Sequence, residues 1–175
     1  ITISNTVKEI GDRTFEECKS LNDVKLGSNL EKIGLYAFLD CEQLKNITIP
    51  NTVKEIGNSA FKSCKNLTTI TLGNNLEKMG SNTFESCKQL KSITIPNTVK
   101  EIGEYTFGTC TSLVSIKLGS NLEKIGSYAF WDCEQLRSIT LPNKVKEIGD
   151  YTFGHCKNLT NIKLGNKLEK IGSHV

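Results

Sequence analysis

The residues of this sequence best suited to chemistry are its seven cysteines: Cys18, Cys41, Cys64, Cys87, Cys110, Cys133 and Cys156. Thiolates act as nucleophiles, metal ligands and disulfide partners. The spacing argues against all three uses. Every gap is 23 residues. An odd number cannot pair completely within one chain. Cysteines at equivalent positions of stacked coils would lie within disulfide reach, but their parallel Cβ vectors fit the bond poorly. Zinc needs a compact set of ligands, and the only histidines are His155 and His174, with no C-x-x-C anywhere. The cysteines therefore read as a ladder of buried free thiols serving as small hydrophobes.

Other catalytic sets are missing too. There is no isolated Asp/Glu pair, no Ser-His-Asp set and no phosphate-binding glycine loop. Acidic residues recur by repetition, whereas an active site assembles unlike residues at unlike positions. The expectation is a non-enzymatic protein with no cofactor and no metal.

Composition bounds the remaining classes. The chain has 175 residues, 37% hydrophobic and 23% charged, enough for one domain with a core. A net charge of +3, from 22 basic and 19 acidic residues, is too mild to argue for nucleic acid or an anionic membrane. No apolar run reaches the roughly 20 residues of a membrane-spanning helix. No nucleic-acid partner and no membrane insertion are expected.

The elements that position these residues follow from the repeat. Seven phenylalanines, Phe15 to Phe153, and eight glycines, Gly11 to Gly172, keep the 23-residue period without insertion or deletion. In the turn from Cys87 to Thr109, Leu90, Ile93 and Ile95 alternate with polar residues, a strand signal. Pro96 stops that strand, because proline cannot donate a ladder hydrogen bond. Val99 and Ile102 bracket Lys100 and Glu101 in a second short extended segment. Gly103 is expected to release the chain into a tight bend, and Thr106 and Phe107 to lie on a short helical turn. One turn has too few apolar side chains to bury alone. Stacked about 4.8 Å apart, equivalent side chains share a continuous core.

The pattern L-x-x-I-x-I-P-x-x-V-x-x-I-G-x-x-A-F-x-x-C, clearest in residues 47–64, resembles the BspA-like class of leucine-rich repeat along the whole chain. The resemblance implies a right-handed solenoid with a parallel β-sheet on one face, and second short strands and short helical turns on the other. It also implies a surface-exposed or secreted, adhesin-like role. One departure stands out. The usual asparagine position reads Asn29, Thr52, Asn75, Thr98, Asn121, Lys144 and Lys167, so the buried asparagine ladder of horseshoe-type repeats is not expected.

A longer period of 46 residues overlies the first. Turns with proline read V-K-E-I-G, as at Val53 to Gly57; turns with glycine read L-E-K-[I/M]-G, as at Leu76 to Gly80. One stacked column runs Lys8, Glu31, Lys54, Glu77, Lys100, Glu123, Lys146, Glu169, and its neighbour starts at Glu9 with the opposite signs. Alternation makes each neighbour contact attractive, where identical turns would repel. It also penalises a slip of one turn.

Candidate contacts are the places that break the repeat. Outward strand positions, such as Asn46/Thr48 and Ser92/Thr94, form a polar surface without an aromatic anchor. The variable positions lie after the glycine and after the phenylalanine. They carry Leu35, Tyr36 and Leu39 in one turn, and further on Tyr105, Tyr128 and Tyr151, expected to stack as a column with Trp131 beside it. Non-core aromatics are the best binding candidates on such a scaffold. Their alternative use is to cover the flank of the core.

Three N-x-[S/T] sequons, at Asn46, Asn66 and Asn158, are weak signs of secretion. The sequence reads as one solenoid over 1–175, about seven and a half turns, with no polar cap at either end. The expectation is a piece of a longer array at a cell surface or outside the cell, with an intracellular location left open by the unpaired thiols. Its partner would be a protein or a glycan. The alternative is a rod or filament component that self-associates end to end.

Overall fold

The computed structural model describes residues 1–175. Fourteen short strands follow one another: β1 Glu9–Ile10, β2 Lys32–Ile33, β3 Asn46–Thr48, β4 Glu55–Ile56, β5 Thr69–Thr71, β6 Lys78–Met79 and β7 Ser92–Thr94 in the first half. The second half holds β8 Glu101–Ile102, β9 Ser115–Lys117, β10 Lys124–Ile125, β11 Ser138–Thr140, β12 Glu147–Ile148, β13 Asn161–Lys163 and β14 Lys170–Ile171. All pairings are parallel, and each joins equivalent residues of adjacent turns, as Ile47 with Ile70 or Ile10 with Ile33. The result is a solenoid with the three-residue strands on one side and the two-residue strands on another.

The 46-residue period is visible in the backbone. On the three-residue side the strands pair two by two, β3 with β5, β7 with β9 and β11 with β13. Each pair couples a proline turn to the glycine turn after it. Backbone groups of a strand alternate in direction. Ile49 N–H donates forward to Thr71 O at 2.8 Å, so position 50 would donate backward, and Pro50 has no N–H to give. The next turn answers sterically. A Cβ on Gly73 would lie 2.3 Å from Pro50 O, and one on Gly119 2.2 Å from Pro96 O. Glycine stands above proline because only a residue without Cβ admits that carbonyl.

The two-residue side runs continuously through both kinds of turn, as β1-β2-β4-β6 and then β8-β10-β12-β14. Between β6 and β8 the ladder is interrupted. Gly80 N–H donates to Ile56 O at 2.9 Å and Gly126 N–H to Ile102 O at 2.8 Å, while the amides of Lys100 and Gly103 make no such bond to the turn before. A groove of about 790 Å³, lined by Met79, Lys100 and Gly103 among others, opens there. Met79 is the one position of this column that is not isoleucine.

The third side corrects one expectation. It contains no helix. In each turn the residues two places after the glycine and two after the phenylalanine have positive φ, for example Tyr36 at 56° and Asp40 at 56°. This reverses the backbone and directs alternate amides out of the coil. Arg13, Phe15 and Glu17 donate to Leu35 O, Ala37 O and Leu39 O of the next turn, each at 2.8 Å. Amides committed between turns cannot close i→i−4 helical rings. The chain does turn directly after Gly103, over residues 104–109, although the glycines all have negative φ. Glycine recurs in this column because the turns approach closely: a Cβ on Gly34 would meet Asp12 N at 2.6 Å, and one on Gly57 would meet Leu35 N at the same distance.

Between the three sides lies one core of 41 buried residues. The Phe15–Phe38–Phe61–Phe84–Phe107–Phe130–Phe153 ladder stacks with ring centroids 5.1 to 5.7 Å apart. The expected free thiols from Cys41 to Cys133 are buried, with Cys18 exposed and Cys156 partly so. From Cys41 to Cys156 each thiol also donates to a phenylalanine carbonyl of the turn below, as Cys87 Sγ to Phe61 O at 3.2 Å. Burial pushes the interior thiols up, to about 12 for Cys110.

Candidate functional site

The candidate residues fall into two separate groups on the left-handed flank. All seven are half-buried. Tyr105, Tyr128 and Tyr151 occupy one column and stack nearly parallel, with centroids 4.6 and 5.1 Å apart. His174 extends the stack at 4.7 Å from Tyr151. Trp131 stands edge-on to Tyr128 at 5.5 Å and Tyr151 at 6.0 Å, with His155 4.3 Å away. The structure thus brings four of the seven predicted residues into one aromatic cluster and adds two histidines.

Leu35, Tyr36 and Leu39 are not part of that cluster. Ser59 and Asn82 fill the tyrosine column between Tyr36 and Tyr105. Instead, Tyr36 carries the guanidinium of Arg13 at 4.7 Å from its centroid. Arg13 is held by both carboxylate oxygens of Glu16 at 3.1 Å.

Local backbone makes room for Trp131. A Cβ on Gly154 would lie 2.4 Å from the indole ring, so the side chain lies across a residue that has none. The three tyrosines sit at positive-φ positions, with φ of 50°, 58° and 52°. Such backbone often marks functional sites. Here Ser59 and Asn82 share it in the same column, so it belongs to the coil and not to the cluster.

The charge columns are sparser than their pattern promises. Ion pairs form at Lys8–Glu31 (3.4 Å), Glu9–Lys32 (2.9 Å) and Glu147–Lys170 (2.9 Å), and Lys124 lies between Glu101 (3.9 Å) and Glu147 (3.8 Å). The other neighbours in these columns are not within ion-pair distance, so attraction at every contact is not realised. Hydrogen bonding to Lys170 holds the Glu147 carboxyl below its usual range. Sequence reasoning missed two further positions. Glu42–Lys65 at 3.0 Å and Glu134–Lys157 follow the cysteine, and Lys62–Glu85 at 2.7 Å follows the phenylalanine. Their signal was present as opposite charges at a separation of 23.

An asparagine ladder also exists, one residue earlier than the usual position. Asn5, Asn51 and Asn97 accept the backbone N–H of Ser28, Asn74 and Ser120 at 2.8 to 2.9 Å. They are exposed and act only between a proline turn and the glycine turn above it. No group of three or more His, Cys, Asp or Glu side chains could hold a metal ion. No helix is long and apolar enough to cross a membrane. Of the sequon asparagines, Asn158 uses its side-chain amide to bond Glu134 O at 2.8 Å.

The sequence profile of the BspA type leucine rich repeat region matches the chain in 6 copies, over residues 1–96 and 77–175. The chain belongs to the BspA-type leucine-rich-repeat family. Among solved structures, a leucine-rich repeat protein from Bacteroides ovatus is 35% identical, with a TM-score of 0.88 over 98% of this chain and 44% of that one. The Treponema pallidum (T. pallidum) leucine-rich repeat protein is 30% identical, with a TM-score of 0.68, covering 98% of this chain and 72% of that one. A leucine-rich repeat protein from Eubacterium ventriosum, at 20% identity and a TM-score of 0.64 over 99% of this chain and 76% of that one, shares the fold. This BspA-type chain spans less than half of the Bacteroides ovatus protein it resembles. A comparison with curated proteins finds no match.

Proposed function

We infer that this BspA-type chain is a non-enzymatic recognition scaffold, displayed at a cell surface or outside the cell, that binds a protein or glycan partner. The single observation that carries this is the cluster of Tyr105, Tyr128, Tyr151 and Trp131. It gathers the chain's only tryptophan and three of its four tyrosines on one flank of an otherwise repetitive, polar surface. Interfaces are enriched in such residues, and binding energy concentrates on Trp, Tyr and Arg. The outward strand positions are Ser, Thr, Asn, Asp and Lys, which offer complementarity but no anchor. An active site would require convergent polar groups in a pocket. The groove against the interrupted ladder between β6 and β8 is lined mainly by the repeating Lys and Glu of the columns and their polar neighbours.

The test is adhesion. Multimers of the chain are applied to mammalian cells and to purified extracellular-matrix proteins. The Tyr128→Ser/Trp131→Ser variant is compared after its fold is checked by circular dichroism. Binding by the parent and its loss in the variant is the expected result. Equal binding by both, or binding by neither, removes this reading.

A further inference from the structure

The aromatic cluster lies on segments that carry carboxylates and no basic residue. The chain carries 22 Lys and Arg residues, yet none falls within 104–109, 127–132 or 150–155, the three segments that build the cluster. The same segments carry Glu104, Asp132 and Asp150. Glu104 and Asp150 precede the tyrosines in their turns, and Asp132 follows Trp131, so carboxylates border the aromatic stripe on both sides. None of the three is in an ion pair. Lys157, which comes next in sequence, is bonded to Glu134. A protein with net charge +3 therefore sets three carboxylates outside any ion pair beside its surface aromatic cluster, with Lys157 and Lys170 in coulombic reach of Asp132 and Asp150 and the Ser173 amide donating to Asp150.

The chain shows what such a combination takes. One end of the same column has Arg13 over Tyr36 at 4.7 Å, with Glu16 clasping the guanidinium. Arg13 stands in the tyrosine column, and Glu16 stands in the column of Trp131. There a carboxylate from one turn and an aromatic ring from the next hold a guanidinium. At the other end of the flank the rings and carboxylates are present and the cation is not.

We propose that the face formed by Tyr105, Tyr128, Tyr151 and Trp131, with Glu104, Asp132 and Asp150, binds arginine side chains of a basic, extended peptide segment of a partner protein. This rests on the recognition role inferred above and names its partner class. The spacing suits it. Glu104 and Asp150 are two turns apart, about 10 Å at the usual strand spacing, and alternate side chains of an extended peptide lie about 6.6 Å apart. Two arginines fit within the rim, each with a carboxylate and an aromatic edge or face in reach.

The test uses a fluorescent peptide of alternating arginine and serine, and the same peptide with citrulline for arginine. Binding to the whole chain is read by fluorescence polarisation. The isosteric variant Glu104→Gln/Asp132→Asn/Asp150→Asn keeps every hydrogen-bonding shape. The control Glu77→Gln/Glu123→Gln removes two charges from the solvated columns. The expected result is saturable binding of the arginine peptide, weakened at least about tenfold by the rim variant and by citrulline, with the control unchanged. Binding that survives in the rim variant, or falls equally in the control, overturns the proposal. So does failure of the arginine peptide to bind, with or without binding of a neutral oligosaccharide. If the arginine peptide fails while Tyr128→Ser/Trp131→Ser still abolishes adhesion, the recognition role stands and the cationic partner falls.

Discussion

The Cys64 thiol donates to the Phe38 carbonyl at 3.2 Å, reaching back into the turn below. Phe38 O also accepts the Cys41 amide at 3.2 Å, so one carbonyl ties together two successive turns. Cysteine suits this place because its thiol is small, apolar and a weak donor. The interior thiols are buried, and their acidity is suppressed. Burial raises Cys64, Cys87 and Cys133 well above 9.0, and Cys41 to about 12.

Two outcomes follow for the thiols. In native protein at pH 8, iodoacetamide labels Cys18 first and Cys156 next, and leaves the five interior cysteines unmodified; mass spectrometry of tryptic peptides reads this directly. Interior labelling at rates close to that of Cys18 would contradict the burial. Stability also falls with alkali. The folded pKa values exceed the unfolded one, so the folded state holds more protons, and stability drops as pH rises past about 9 toward 12. Melting temperatures from pH 7 to 11 should decline across the upper part of that range, and a Cys→Ala series should flatten the decline.

Glycines of equal period are not equally replaceable. Gly73→Ala places a Cβ 2.3 Å from Pro50 O, a clash with backbone, and should cost about 2 kcal/mol or more. Gly11→Ala meets only Thr14 Oγ1 at 3.6 Å, at negative φ. It should be neutral or stabilise by about 0.5 kcal/mol. Denaturant midpoints of the two variants decide the matter, and similar losses would show that the period itself, not the close approach, demands glycine.

The interrupted ladder between β6 and β8 predicts a local weakness. The amides of Lys100 and Gly103 lack the bonds that Glu123 and Gly126 make one turn later. Hydrogen exchange under native conditions should therefore be faster at Gly103 than at Gly126 by about tenfold or more. Comparable protection at the two sites would close the gap. Met79→Ile, which restores the column's repeating residue, should slow exchange at Gly103.

Charge order matters through a few contacts. Exchanging Glu123 and Lys124 sets like charges beside Lys100, Lys146, Glu101 and Glu147. The melting temperature should fall at low salt and recover toward the parent value near 1 M sodium chloride, since exposed pairs are screened. A fall that is independent of salt would point to packing instead.

The sequence by itself determined the coil, its 23-residue period, the strand positions, the core columns and the free thiols, because each is a matter of which residue type recurs at which spacing. It also disclosed the 46-residue pair of turns, through proline, glycine and charge. Tertiary structure decided the rest. Thr106 and Phe107 look helical in isolation, yet amides such as Phe107 N–H bond to the next turn, and a bond between turns cannot be read within one turn. The bend after Gly103 stands where the sequence puts it, but glycine is kept in that column by the neighbouring coil and not by a positive φ. Among the seven candidate residues, periodicity placed Tyr105, Tyr128 and Tyr151 in one column. It also set Trp131 beside that column; only the fold showed the edge-on contacts of Trp131 and left Tyr36 to Arg13, because those contacts depend on how far each side chain reaches across columns.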